Sequence, residues 1–173
     1  MNVINCAVIS APPMCFPWGL DDEDEVCAGL KLLLVNRLSY LQANGAKRFF
    51  VSMDEGVGLY VAEIVLSLME TNETLQLFIT LPCEGQAVKW PPELRDRYFA
   101  VLQKCTSSIV VSDEHTLVCE LDAMLKAVDE AQSVLAVCAD KNPPQDKTFA
   151  TVLHYAYKMG KDVQLITPPE MFK

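Results

Sequence analysis

The residues that offer chemistry in this chain are few, and they fall on turns. Ser52-Met53-Asp54-Glu55-Gly56 places a hydroxyl, two carboxylates and a glycine after a short apolar run, Phe49-Phe50-Val51. Beyond it, apolar residues recur at helical spacing: Val57, Val61, Ile64, Val65 and Leu68. Such a turn sits at the carboxyl end of a strand, under the amino end of a helix. Free N–H groups and a partial positive charge make that position suited to an anion. A phosphate there needs bare N–H groups and small residues, whereas Met53 adds bulk and Asp54 and Glu55 add negative charge. A second group is Glu84, Gly85, Gln86 and Trp90, in which Gln86 can present an amide to a base or sugar and Trp90 can stack on a ring. A structural reading stands beside each group. Asp54 or Ser52 caps the helix and Gly56 permits the turn; Trp90 fills the core and Gln86 bonds loop backbone.

Other chemistries lack their residues. His115 and His154 stand alone and read as surface or helix histidines. No Ser–His–Asp order, GxSxG elbow or P-loop pattern is present. The seven cysteines have no CxxC spacing and read as reduced thiols, with Cys6 and Cys138 in the core and no metal site expected. The acidic run Asp21–Glu25 precedes an amphipathic stretch and reads as helix capping. Glu63 and Asp129 read as structural. The sequence assigns no catalytic residue, no metal and no cofactor.

The elements that position these turns alternate along the chain. Strands are expected over Val3–Ile9, Phe49–Val51, Leu75–Leu81, Ile109–Val111, Val134–Cys138 and Val163–Ile166. Helices are expected from Val26 to Leu41 (closed by Asn44-Gly45), from Val57 to Leu68, from Pro91-Pro92 through about Lys104, from about Thr116 to Ala131, and from Phe149 to Met159. Most strands are continuously apolar, which is the pattern of a parallel sheet covered on both faces. The fold class is therefore α/β: a Rossmann-like three-layer α/β/α domain over residues 1–173, with a mainly parallel sheet of about six strands. Ser10 to Pro12, Ser52 to Gly56, Glu84 to Gln86 and the Asp140–Thr148 loop all follow strands. They are expected to converge at the carboxyl edge of the sheet, where open α/β sheets bind ligands.

Bulk properties narrow the partners. The chain has 173 residues, 51% apolar, with 14 basic against 23 acidic residues and a net charge of −9. That composition fits a packed core and argues against nucleic acid or an anionic membrane surface as partner. The opening MNVINCAVIS has no basic start ahead of an apolar block, and no apolar run approaches the roughly 20 residues that span a bilayer. A cytoplasmic location is expected, and a homodimer is left open.

Several stretches together resemble the YpsA-like branch of the SLOG superfamily, relatives of DprA and the LOG phosphoribohydrolases. They are Pro17-Trp18-Gly19, Gly56-Val57 with Ala62-Glu63, Pro82-Cys83 with Gly85-Gln86-Ala87 and Trp90, Arg97-Tyr98, Val128-Asp129, and Tyr155-Ala156. The resemblance covers nearly the whole chain. It implies a Rossmann-like fold and a pocket for a nucleotide or nucleotide-derived ligand. The departures lie where the family is expected to touch phosphate and sugar. Ser10-Ala11-Pro12-Pro13 stands for a Gly-His-Arg-Pro element, Gly58 for the aspartate of a Gly-Val-Asp turn, Ala123-Met124 for an Arg-Asn pair, and Lys147-Thr148-Phe149 for a Gly-Gly-Thr turn. The reading that follows is a non-catalytic module, sensing or interacting through a nucleotide-derived small molecule. The ligand-facing candidates are Ser10, Ala11, Ser52, Asp54, Glu55, Gly56, Glu84, Gly85, Gln86, Trp90 and Thr148. The alternative is a LOG-type phosphoribohydrolase or other nucleotide-processing enzyme. A DprA-like role on DNA conflicts with the net charge.

Overall fold

The computed structural model describes residues 4–140 and 146–170. Its elements run β1 (Ile4–Ser10), a single 3-10 turn (Pro13–Cys15), α1 (Glu25–Ala43), β2 (Ala46–Ser52), α2 (Val57–Met69) and β3 (Gln76–Leu81). They continue with α3 (Pro92–Lys104), β4 (Ser107–Val110), α4 (Cys119–Asp129), β5 (Ser133–Val137), α5 (Lys147–Lys158) and β6 (Asp162–Ile166). The strands form one six-stranded sheet in the order β4-β3-β2-β1-β5-β6. Every pairing is parallel, so the sheet is wholly rather than mainly parallel among the described residues.

The apolar runs explain the burial. Cys6 to Ile9 at the sheet centre are at most 1% exposed, because β1 is flanked on both sides and covered on both faces. Helix α2 packs across β1, β2 and β3, with α1 and α3 beside it, while α4 packs across the same strands and is flanked by α5. Cys6 and Cys138 belong to the core, and all seven cysteines are free thiols. Asp24 caps α1, accepting from the Val26 and Cys27 N–H groups at 2.8 and 3.2 Å, so the acidic run does the capping its position implies. No helix among the described residues is long and apolar enough to cross a membrane.

The chain order reverses around β1. From β1 the chain steps outward through β2, β3 and β4, then returns to place β5 on the other side of β1. The crossovers on either side of β1 diverge there, which opens a crevice at the carboxyl ends of the strands.

Some boundaries differ from the sequence reading, each for a local reason. β2 begins at Ala46 rather than Phe49, because its first residues pair with β1 although Lys47 and Arg48 are exposed. β4 is Ser107–Val110 and exposed throughout, an edge strand that the helices leave uncovered. α4 starts at Cys119 rather than Thr116. In the preceding segment the Ser112 hydroxyl donates to the Glu114 carbonyl at 2.6 Å, Thr116 Oγ1 accepts from the Val118 N–H, and Leu117 is 98% exposed. These side chains compete with the helical backbone pattern. Val3, and residues 141–145 of the Asp140–Lys147 loop, lie outside the described residues.

Candidate functional site

The turn after β2 is built around one carboxylate. Asp54 Oδ1 accepts from the Gly56 N–H at 2.9 Å and the Gly58 N–H at 2.8 Å, two of the free donors at the start of α2. Its Oδ2 accepts from the Ser10 hydroxyl at 3.0 Å, which ties the β1 loop to the β2 turn. The acid thus occupies the position that the helix start offers an anion. Burial pushes the Asp54 carboxyl up to about 6, against the pull of the Gly58 and Gly56 N–H groups; Glu55 adds to the rise and Ser10 opposes it.

Gly58 is required by this arrangement. A Cβ at that position would collide with the Ser52 carbonyl oxygen and stand 3.2 Å from Asp54 Oδ1 and from Met53 Cα. Gly56 is similarly close to the β1 loop, with an added Cβ 2.9 Å from Pro13 Cγ. The glycine at 58 and the acid at 54 are therefore one device: the carboxylate fits over the helix start because nothing projects from Gly58.

Above this turn lies a cavity of about 350 Å³. Its lining comes from the β1 loop (Ser10, Pro12, Pro13, Met14), the β2 turn (Ser52 to Glu55), the β3 loop (Pro82, Gln86), α4 (Glu120, Met124) and the start of α5 (Asp146, Thr148). The β1 loop, the β2 turn, the β3 loop at Gln86 and the start of α5 meet at the carboxyl edge of the sheet; residues 141–145 of the Asp140–Thr148 loop lie outside the described residues. Of the sequence candidates, Ser10, Ser52, Asp54, Glu55, Gln86 and Thr148 line the cavity. Ala11 is buried in the core, and Gly56 acts through its N–H. Glu84 and Gly85 are exposed and do not line it. Trp90 does not line it either; its ring packs edge-on against Tyr98, with centroids 5.1 Å apart, at the margin of the core. The amide and indole of this loop therefore do not face one ligand together, because the turns from Cys83 to Trp90 carry Trp90 back onto α3.

Gln86 reaches the cavity differently. Its Nε2 donates to the Met53 carbonyl at 2.6 Å, and its Oε1 is wholly buried with no hydrogen-bond partner among the described residues. The Met53 carbonyl fixes which end is which, since the reverse orientation would set oxygen against oxygen.

Sequence reasoning did not name Glu120 or Met14; Asp146 fell within the Asp140–Thr148 loop, Met124 within the Ala123-Met124 pair and Pro82 within Pro82-Cys83, none of the three named as ligand-facing. Asp146 had a readable signal, standing just before an amphipathic run. It caps α5, accepting from the Phe149 N–H at 2.8 Å. The lining therefore holds four carboxylates, Asp54, Glu55, Glu120 and Asp146, and no Lys, Arg or His among the described residues. No three His, Cys, Asp or Glu side chains among them gather as a metal-binding group.

The remaining motif residues hold the frame. Arg97 on α3 donates through Nε to Glu63 on α2 and through Nη1 to Asp22 ahead of α1, both at 2.8 Å, and Lys31 reaches Asp22 at 2.9 Å. Against the upward push of burial, Lys31 and Arg97 hold the Asp22 carboxyl below the usual range. Tyr155 Oη donates to Asp129 at 2.6 Å, joining α5 to α4. Glu63 and Arg97 also border a groove of about 490 Å³ whose walls come from α2, its C-cap Glu70 and α3. Although larger, it is formed by paired side chains on helix flanks and not at the strand ends.

Comparison with known proteins agrees with this frame. The family model YpsA, described as the YspA SLOG family, matches residues 19–171. The match begins after β1, so the Ser10–Pro13 loop lies ahead of it. No curated protein matches the chain.

Proposed function

This chain belongs to the YpsA SLOG family, and we propose that it is a non-catalytic member, a module that senses or interacts through a nucleotide-derived small molecule held at the carboxyl edge of its sheet. One observation carries the reading: the Asp54 carboxylate takes two of the N–H groups at the start of α2, where an entering phosphate would bind. Asp146 does the same for α5 with a single N–H. A phosphate about 4 Å from one of these carboxylates is repelled by roughly 4 kcal/mol at an effective dielectric of about 20. That corresponds to about a thousandfold in affinity.

Cleavage between base and ribose phosphate needs that phosphate held and a charged pair placed at the bond. The Arg97–Glu63 pair is committed to Asp22 and to bridging the helices instead. The degenerate character of the site, in this reading, lies in the seat being filled from within while the cavity stays open. The test is to incubate purified protein with AMP and follow free adenine by chromatography. No adenine above the protein-free rate is expected. Adenine release that is abolished by Asp54→Ala would overturn the proposal.

A further inference from the structure

The edge of a sheet carries backbone N–H and C=O groups that no neighbouring strand takes up, and folded proteins blunt such edges with charge, proline or a cover. The two edges of this sheet, β6 and β4, differ in this respect. β6 opens on the charged Asp162 and runs out into Pro168-Pro169. Pro169 lies back against α1, where its Cγ would stand 2.7 Å from a Cβ added at Gly29. Apart from its shortness, β4 has none of these devices. From Cys105 to Ser112 there is no charged residue, no proline and no glycine. All of β4 is exposed, with Ile109 43% and Val110 39% open to solvent and, as neighbours in a strand, on opposite faces. The segment that leaves it adds Val118, half exposed, and Leu117, almost wholly so. An uncharged edge rich in β-branched residues is a template for another strand.

The charges at the two ends of the edge select the strand that fits. Lys104 ends α3 and leads into β4, and Asp113 and Glu114 follow β4. All three are exposed, and none has an ion-pair partner among the described residues. A second copy of the chain, laid antiparallel beside the first about a two-fold axis, brings the basic end of each edge to the acidic end of the other. A parallel copy sets like charge against like. We propose that β4 is a homodimer interface, at which two copies pair edge to edge and antiparallel, continuing the sheet across the axis. The middle of the strand, Ser108 and Ile109, then lies against its own counterpart, and the free backbone groups of both edges are satisfied. The strand is short, so the contact is a reversible one, at the low end of interface sizes.

Sedimentation velocity on the full, unaltered chain from about 1 to about 300 μM tests this. The mass is expected to rise with concentration from the 19.2 kDa of one chain toward twice that value. Ile109→Lys puts two like charges beside the axis and is expected to weaken association about tenfold or more. Lys104→Glu makes both ends of the edge acidic, and Asp113→Lys with Glu114→Lys makes both basic. Each of these proteins is expected to associate more weakly than the parent, and their equimolar mixture to recover the dimer, since each then meets its opposite at both ends. A single chain at every concentration of the unaltered protein overturns the proposal. A dimer indifferent to Ile109→Lys, or a mixture no stronger than its two parts, overturns it as well. The concentration series decides the first point whatever the variants do, and the altered side chains are all exposed.

Discussion

Replacing Asp54 by Asn is the sharpest perturbation of the β2 turn. The carboxyl rises from 3.8 to about 6 in the folded protein, chiefly through burial. That rise of about two pH units, at 1.36 kcal/mol each, is worth roughly 3 kcal/mol. The direction follows from linkage. A folded state that holds the proton more tightly than the unfolded chain is most stable below the unfolded value and loses that stability as pH rises through the folded value. Asp54 therefore favours the folded state below about pH 4 and loses the advantage on the way to about pH 7. Asparagine keeps an oxygen for the Gly56 and Gly58 N–H groups and never ionises. Urea denaturation of both proteins from about pH 4 to about pH 8 should show the variant gaining on the parent by up to roughly 3 kcal/mol, with most of the change between about pH 4 and pH 7. The other carboxylates around the cavity, Glu55, Glu120 and Asp146, are common to both proteins, so their contributions largely cancel in the difference. A difference that stays constant with pH would refute the argument that burial governs this group.

Two further outcomes concern the frame around the site. Gly58→Ala drives a methyl into the Ser52 carbonyl and against Asp54 Oδ1. It should destabilise by about 1–3 kcal/mol, read as a thermal shift of roughly 2–4 °C per kcal/mol. Asp22→Asn loosens the link to Lys31 and Arg97, at a cost of about 1 kcal/mol at neutral pH. Because the Asp22 carboxyl is held below its ordinary 3.8, its contribution is present above that value and is lost as pH falls through the lower folded value. The two proteins should converge in stability in acid.

The alternation of apolar runs with helical spacing made the layered sheet legible, since burial on both faces leaves little other choice for Cys6–Ile9 or Val134–Val137. The convergence of the β1, β2 and β3 loops and the α5 start followed from the same alternation. Asp54 was readable as a cap from its place before Gly56, but its hold on two N–H groups depends on the bare Gly58, a contact four residues along. Trp90 was not assignable from sequence, because stacking on a ligand and packing on Tyr98 call for the same residue type. The start of α4 falls later than its periodicity implies because Ser112 and Thr116 bond locally, a competition that periodicity does not register. Glu120 and Met124 enter the cavity only because α4 lies across β1, β2 and β3, which is a tertiary fact.

The central claim is that the anion seat at α2 is filled from within, and isothermal calorimetry with AMP tests it directly. The unaltered protein should show no binding at micromolar concentrations. Combining Asp54→Ala with Glu55→Gly should give a clear gain in affinity for AMP and for sulfate, up to about a thousandfold if the full repulsion is relieved. Tight AMP binding by the unaltered protein, at micromolar level or better, would contradict the claim.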